Sequence, residues 1–199
     1  YYQDDLERLE QAGAELVFFD CLRDTDLPTV DGLFLGGGFP ETAMDELAAN
    51  QGMLAAVREF IKAGGPAYAE CGGLMYLTRQ LSWQGKTRKM AGVLPADTVM
   101  HDKPQGRGYV RLRELAAHPW PGLAGQGGEV AAHEFHYSSL ENLGDGVQFA
   151  YDVARGHGID GHHDGLVYQN LLASYTHLRS TGGADWPGRF VEFVRHCRS

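Results

Sequence analysis

Apolar and polar positions divide the chain into two stretches of different rhythm. In the first, helix-like and strand-like segments alternate: a short helix from Asp4 to about Gln11, an apolar run Ala14–Phe19 read as a buried strand, and a second strand Gly32-Leu33-Phe34-Leu35. The turn Gly36-Gly37-Gly38-Phe39-Pro40-Glu41 follows, then a helix capped by Thr42 and reaching about Asn50. A further helix carries apolar Leu54, Val57, Phe60 and Ile61 and is stopped by Gly64-Gly65-Pro66. Pro66-Ala67-Tyr68-Ala69 is a short strand that runs through Glu70-Cys71-Gly72-Gly73 into a helix with Leu74, Met75 and Leu77. This alternation predicts an α/β fold, a three-layer sandwich with a mainly parallel central sheet, whose sites gather beyond the carboxyl ends of the strands. From about Met90 the pattern changes to strand-like runs near 108–113, 130–137, 147–154 and 165–167, expected as antiparallel additions to the sheet. Phe190, Val191 and Val194 predict a closing helix over 186–198.

At 199 residues and 43% hydrophobic content, the chain fits one domain spanning 1–199 with a substantial core. A net charge of -9 without a basic cluster argues against nucleic acid or an anionic membrane as partner. No apolar run is long enough to cross a bilayer and the first residues form no targeting signal, so a cytoplasmic location is expected. The start lacks an initiator Met and enters a helix almost at once, which reads as a piece of a longer chain. Cys21, Cys71 and Cys197 are odd in number and widely spaced, suiting reduced thiols rather than a disulfide framework.

Ala69-Glu70-Cys71-Gly72-Gly73 has the form small-x-Cys-x-Gly, the cysteine counterpart of a nucleophile elbow. The tight strand-to-helix turn exposes the side chain, the first helical turn favours thiolate, and the Gly72 amide can face an oxyanion. The competing reading is a cysteine buried as a small hydrophobe; the glycines on its C-terminal side favour the nucleophile. Cys21 and Cys197 lack that context and are expected to be structural. Sequence distance cannot rank the nine histidines as proton partners. His157, His162, His163 and Asp164 could in principle ligate a metal, but a solvated Gly-His loop is the better expectation, and no metal site is predicted. The Gly36–Gly38 turn lacks the Gly-Lys-Ser/Thr ending of a phosphate loop.

Four blocks carry a resemblance over almost the whole chain: Leu33 to Glu41, Glu70 to Leu77, His133-Glu134-Phe135-His136-Tyr137-Ser138, and Ala173-Ser174-Tyr175-Thr176-His177-Leu178. Together they resemble the C-terminal glutamine amidotransferase domain of the cobyrinic acid a,c-diamide synthase family, within the wider cobyrinic and cobyric acid synthases. The resemblance implies a class I glutaminase fold of flavodoxin-like type. It implies Cys71 as nucleophile, His177 as its proton partner, and the backbones of Gly37, Gly38 and Gly72 as oxyanion and glutamine-binding groups. It further implies glutamine hydrolysis that supplies ammonia to an ATP-binding synthetase domain, which uses ATP and Mg to amidate the a and c carboxylates of a corrinoid acceptor. No Walker motif lies in these residues, so that domain is absent here and this domain is expected to bind no cofactor of its own. Many class I glutaminases carry a glutamate two residues after the histidine; here that position is Arg179, which leaves a Cys-His dyad. Glu134 and His136 share one side of a strand, either facing the cleft or held by the fold, and these two and Arg107 have no assigned role. The rival readings are a catalytically silent docking module for a synthetase, another acyl-transfer reaction, or the glutaminase of a relative acting on cobyric acid, a nickel tetrapyrrole or a peptidoglycan precursor.

Overall fold

The computed structural model describes residues 2–121, 129–180 and 185–198. Helix α1 (Gln3–Gln11) leads to strand β1 (Leu33–Leu35), a 3-10 turn (Pro40–Ala43), α2 (Met44–Ala49), α3 (Gln51–Lys62), β2 (Ala67–Glu70) and α4 (Gly72–Leu77). Strands β3 (Gln80–Trp83), β4 (Lys86–Lys89), β5 (Asp97–Met100), β6 (Gly106–Glu114), β7 (Glu129–His136) and β8 (Ser138–Glu141) follow. The chain continues through β9 (Gln148–Arg155), β10 (His163–Tyr168), β11 (Leu171–Ser174) and β12 (His177–Leu178) to α5 (Trp186–Cys197).

The main sheet has eight strands in the order β1-β2-β11-β10-β9-β6-β7-β12. Side-chain alternation along its first strands builds the three layers. Leu33, Leu35, Ala67, Ala69, Leu171 and Ala173 join Met53, Leu54, Val57 and Ile61 of α3 and Leu74 and Leu77 of α4 in one core. Phe34, Tyr68 and Leu172 join Leu9 of α1 and Trp186, Phe190 and Val191 of α5 in the other. Tyr68 is the hub of the second core, with ring centroids 5.4 Å from Phe34, 4.9 Å from Trp120 and 5.0 Å from Trp186.

The expected α/β class and layering are present, but within the main sheet parallel pairing is confined to β1-β2 and β2-β11, and β11-β10, β10-β9, β9-β6, β6-β7 and β7-β12 are antiparallel. The sheet is therefore mixed rather than mainly parallel. Parallel neighbours need a crossover, which α2 and α3 supply between β1 and β2, whereas the second half turns back on itself through short connections. A second sheet of four strands, β4-β3-β5-β8, forms beside it, and the periodicity signalled none of the four.

Two local expectations are corrected. Ala14–Phe19 forms no strand and joins no ladder, and Val17 and Phe18 are exposed. β1 pairs only with β2 among the described residues, and a cavity of about 520 Å³ lies between this segment and β1, lined by Leu16, Phe18, Leu33, Phe34 and Val194. Apolar content made this run strand-like, but a strand also needs a backbone partner. Thr42 sits inside the 3-10 turn, its hydroxyl donating to the Phe39 carbonyl, and α2 starts at Met44. Asn50 ends α2 and caps α3 by accepting from the Met53 amide. No described helix is long and apolar enough to cross a membrane.

Trp186 is fully buried against Phe34, Tyr68 and Trp120. Trp186→Ala is expected to cost about 3–5 kcal/mol of stability, read as a lowered urea midpoint; a loss under about 1 kcal/mol would contradict the role given to this aromatic cluster.

Candidate active site

β2 runs in the sheet between β1 and β11, and its last residue, Glu70, is paired with Ser174. Cys71 then reverses the chain at φ 46°, ψ -100°, in the region that disfavours side chains. Its amide donates to the Ser174 carbonyl over 2.7 Å and its carbonyl accepts from the Met75 amide in the first turn of α4. The glycines after it are sterically required. A β-carbon on Gly72 would lie 2.6 Å from the Gly38 carbonyl oxygen and 2.7 Å from its nitrogen, and one on Gly73 would strike the Leu35 carbonyl. The Gly36–Gly38 turn therefore packs directly on the elbow.

β11 runs parallel to β2 and carries Ser174 at its end, and Tyr175 and Thr176 then bring the chain to His177 in β12. Buried Asp164 fixes this passage, accepting from the Tyr175 and Thr176 amides and from the Thr176 hydroxyl. His177 is thereby brought beside Cys71, 106 residues earlier in the chain, close enough for the two side chains to influence each other. The imidazole also rests over the glycine turn, since a β-carbon on Gly37 would lie 2.6 Å from its Cε1. The structure thus brings Cys71, His177, Gly37, Gly38 and Gly72 into one cluster. The Cys71 sulfur is 3.9 Å from the Phe135 carbonyl oxygen, so β7 forms a wall of the same cleft.

A residue that the sequence reading passed over completes the cluster. Glu70 Oε2 lies 3.4 Å from His177 Nδ1, while Glu70 Oε1 accepts from the Tyr68 hydroxyl at 2.5 Å and from the Leu178 amide at 3.0 Å. Burial alone would hold the His177 imidazole below its usual range, but the Cys71 and Glu70 side chains beside it, with their charges, outweigh burial and push the imidazole up. Arg179, the residue where a class I glutaminase usually has its acid, points elsewhere. It binds both Asp4 carboxylate oxygens, at 2.7 and 3.0 Å, and its guanidinium lies 3.7 Å over the Tyr2 ring.

Glu134 and His136 are held by the fold rather than turned to the cleft. Both are buried, on the face of β7 opposite His133 and Phe135. Glu134 accepts from the His157 and Gly158 amides, at 2.7 and 2.9 Å, and so pins the loop after β9. His136 bonds the Ser138 carbonyl through Nδ1 and stacks 3.9 Å from the Tyr175 ring. Arg107 is exposed on β6, opposite Phe135. Asp164 faces inward, and His163 instead pairs with Asp160 and stacks on Phe149. Among the described residues, no three of His, Cys, Asp or Glu are grouped as metal ligands. Cys21 packs against the first core, its thiol pushed up to about 11 by burial and then by the Asp20 charge, whereas Cys197 is exposed at the end of α5.

Comparison with solved structures places this architecture among class I glutaminase folds. A glutamine amidotransferase crystal structure superposes with a TM-score of 0.68 at 18% identity, covering 99% of this chain and 94% of that one. PurLQS from Thermotoga maritima gives 0.72 at 15% identity, covering 99% and 92%. The sequence profile of the CobB/CobQ-like glutamine amidotransferase domain matches residues 1–184, and the chain belongs to that family. It is 48% identical over 195 residues to the cobyrinate a,c-diamide synthase of Magnetococcus marinus, covering 98% of this chain and 41% of that protein. It is 40% identical over 213 residues to the corresponding synthase of Methanosarcina acetivorans, covering 100% and 42%. The chain thus spans about two fifths of the length of these curated relatives.

The Glu134 carboxyl is held below the usual carboxylate range: burial raises it, but the neighbouring His136 and the hydrogen bonds from the Gly158 and His157 amides outweigh burial. A depressed carboxyl stabilises the fold above its unfolded pKa, and that contribution is lost as pH falls through the folded value. Glu134→Gln is expected to lower stability by about 1–3 kcal/mol at pH 7, with the gap to the wild type closing as pH falls below about 4. Urea titrations at a series of pH values would show this, and a gap independent of pH would contradict it.

Proposed function

We propose that this domain hydrolyses glutamine through Cys71 and His177 and delivers the ammonia to a synthetase domain, the observation that carries this being that His177 and the elbow of Cys71 and Gly72 pack on one glycine turn in a chain of this family. The Cys71 thiolate attacks the side-chain carboxamide carbon of glutamine, forming a C–S bond and a tetrahedral oxyanion. The Gly72 amide and the Gly37-Gly38 backbone packed against it receive the oxyanion. The His177 imidazolium gives its proton to the amide nitrogen, the C–N bond breaks, and ammonia leaves a γ-glutamyl thioester on Cys71. Neutral His177 then takes a proton from water, the resulting hydroxide attacks the thioester carbon, the C–S bond breaks, and glutamate departs with the thiolate–imidazolium pair restored.

The acceptor reading follows from the relatives named cobyrinate a,c-diamide synthase. The ammonia amidates the a and c carboxylates of cobyrinic or hydrogenobyrinic acid, a step of cobalamin biosynthesis. ATP and Mg act in the synthetase part, which the greater length of the relatives accommodates. Three free cysteines fit a reducing, cytoplasmic setting.

A diazo-ketone glutamine analogue is expected to alkylate Cys71 in the 199-residue chain, to be competed by glutamine, and to react at least about tenfold more slowly with His177→Ala, as peptide mass spectrometry would register. A folded protein whose Cys71 reacts with a simple alkylating agent but not with the analogue would instead support a silent docking module.

A further inference from the structure

We propose that Glu70, the residue immediately before the nucleophile, is the positioning residue that orients His177 and holds its positive charge, in the place an acid after the histidine would otherwise take. The inference rests on the glutaminase reading and deepens it.

Three observations carry the argument. The first is geometric: with His177 Nδ1 turned to Glu70 Oε2 at 3.4 Å, Nε2 is the nitrogen left for Cys71, which is the tautomer and orientation a proton donor to the leaving amine needs. The second is rigidity. Glu70 is 4% exposed and ends a strand with neighbours on both sides, and its other oxygen is fixed by a phenol and a backbone amide. Tyr68 is fully buried, and burial and then the Glu70 charge push its phenol well above the usual range, so it remains a neutral donor to that carboxylate.

The third is that, among the described residues, nothing else near the imidazole could substitute for Glu70. Glu70 and Cys71 face it from the elbow, and His133 stacks on it from β7 with centroids 4.9 Å apart. His133 is held below its usual range by burial and then by His177, and it shares its Nε2 with the Tyr2 hydroxyl. Arg179, two residues after His177 and just past the end of β12, is positive and committed to Asp4 and Asp5. Of the charged groups around the ring, Glu70 and the thiolate are those that stabilise imidazolium.

A purely structural Glu70 would serve only as an acceptor for Tyr68 and Leu178, which a glutamine can largely replace. Glu70→Gln therefore separates the two roles. Ring-nitrogen NMR titration of His177 and pH-dependent labelling of Cys71 by the diazo-ketone analogue would be run on the wild type, Glu70→Gln and Glu70→Asp. In Glu70→Gln the His177 midpoint is expected to fall by about one to three pH units, and labelling at neutral pH by about 100-fold, with Glu70→Asp recovering part of both. An unmoved His177 midpoint overturns the proposal, whether or not labelling falls. If Glu70→Gln does not fold, Glu70→Asp decides alone: it keeps the charge but withdraws it by one methylene, so a midpoint equal to that of the wild type is the overturning result. A wild type that is never labelled would sink the glutaminase reading, while the nitrogen titration would still report the hold of Glu70 on His177.

Discussion

The backbone of Cys71 is in a conformation that a side-chain-bearing residue adopts only at a cost of about 1–3 kcal/mol, and the surrounding structure is arranged to keep it there. The amide of this residue is tied to the end of β11 and its carbonyl to the first turn of α4, so the reversal is fixed from both directions. Gly72 and Gly73 leave room for Gly38 and Leu35 to approach closer than any β-carbon would allow. The same contact that fixes the reversal at Cys71 thus brings the glycine turn after β1 against it.

The rest of the site is assembled by the sheet. Because β11 lies parallel to β2, its end arrives beside the elbow, and two further residues pinned by Asp164 place His177 over the glycine turn. Glu70 closes the arrangement: it ends the strand that leads into Cys71, lies 3.4 Å from the His177 imidazole, and is anchored through Tyr68 to the aromatic core between the sheet and α5. Core packing and the orientation of the histidine are therefore linked through one carboxylate. Such a link explains how a glutaminase-type site can keep an acid behind its histidine although the usual position holds Arg179, whose charge is engaged with the start of α1.

Much of this was legible in the chain. The elbow was signalled by a cysteine flanked by a short strand and paired glycines, and the layers by runs such as Leu33–Leu35 and Ala67–Glu70 whose alternate residues reach opposite cores. Less visible were features set by tertiary pairing. Gln80–Lys89 is a hairpin whose Gln84 and Gly85 both have positive φ, a turn that the Gln-Gly pair only weakly announces. Ala14–Phe19 has strand composition but no strand partner, and Glu134 answers to a loop more than 20 residues away. Glu70 was hidden for a different reason. Its value depends on a histidine 107 residues later, and an acid beside a cysteine reads locally as part of the turn.

The central claim is that Cys71 forms a covalent bond to the carbon of the glutamine side-chain amide. Rapid acid quenching of the chain during glutamine turnover, followed by peptide mass spectrometry, tests it most directly. The account predicts one γ-glutamyl group on the peptide containing Cys71, removable by hydroxylamine and absent when His177 is replaced by alanine. Glutamate and ammonia released from glutamine with no acyl group ever found on Cys71, or with the group on another residue, would contradict it.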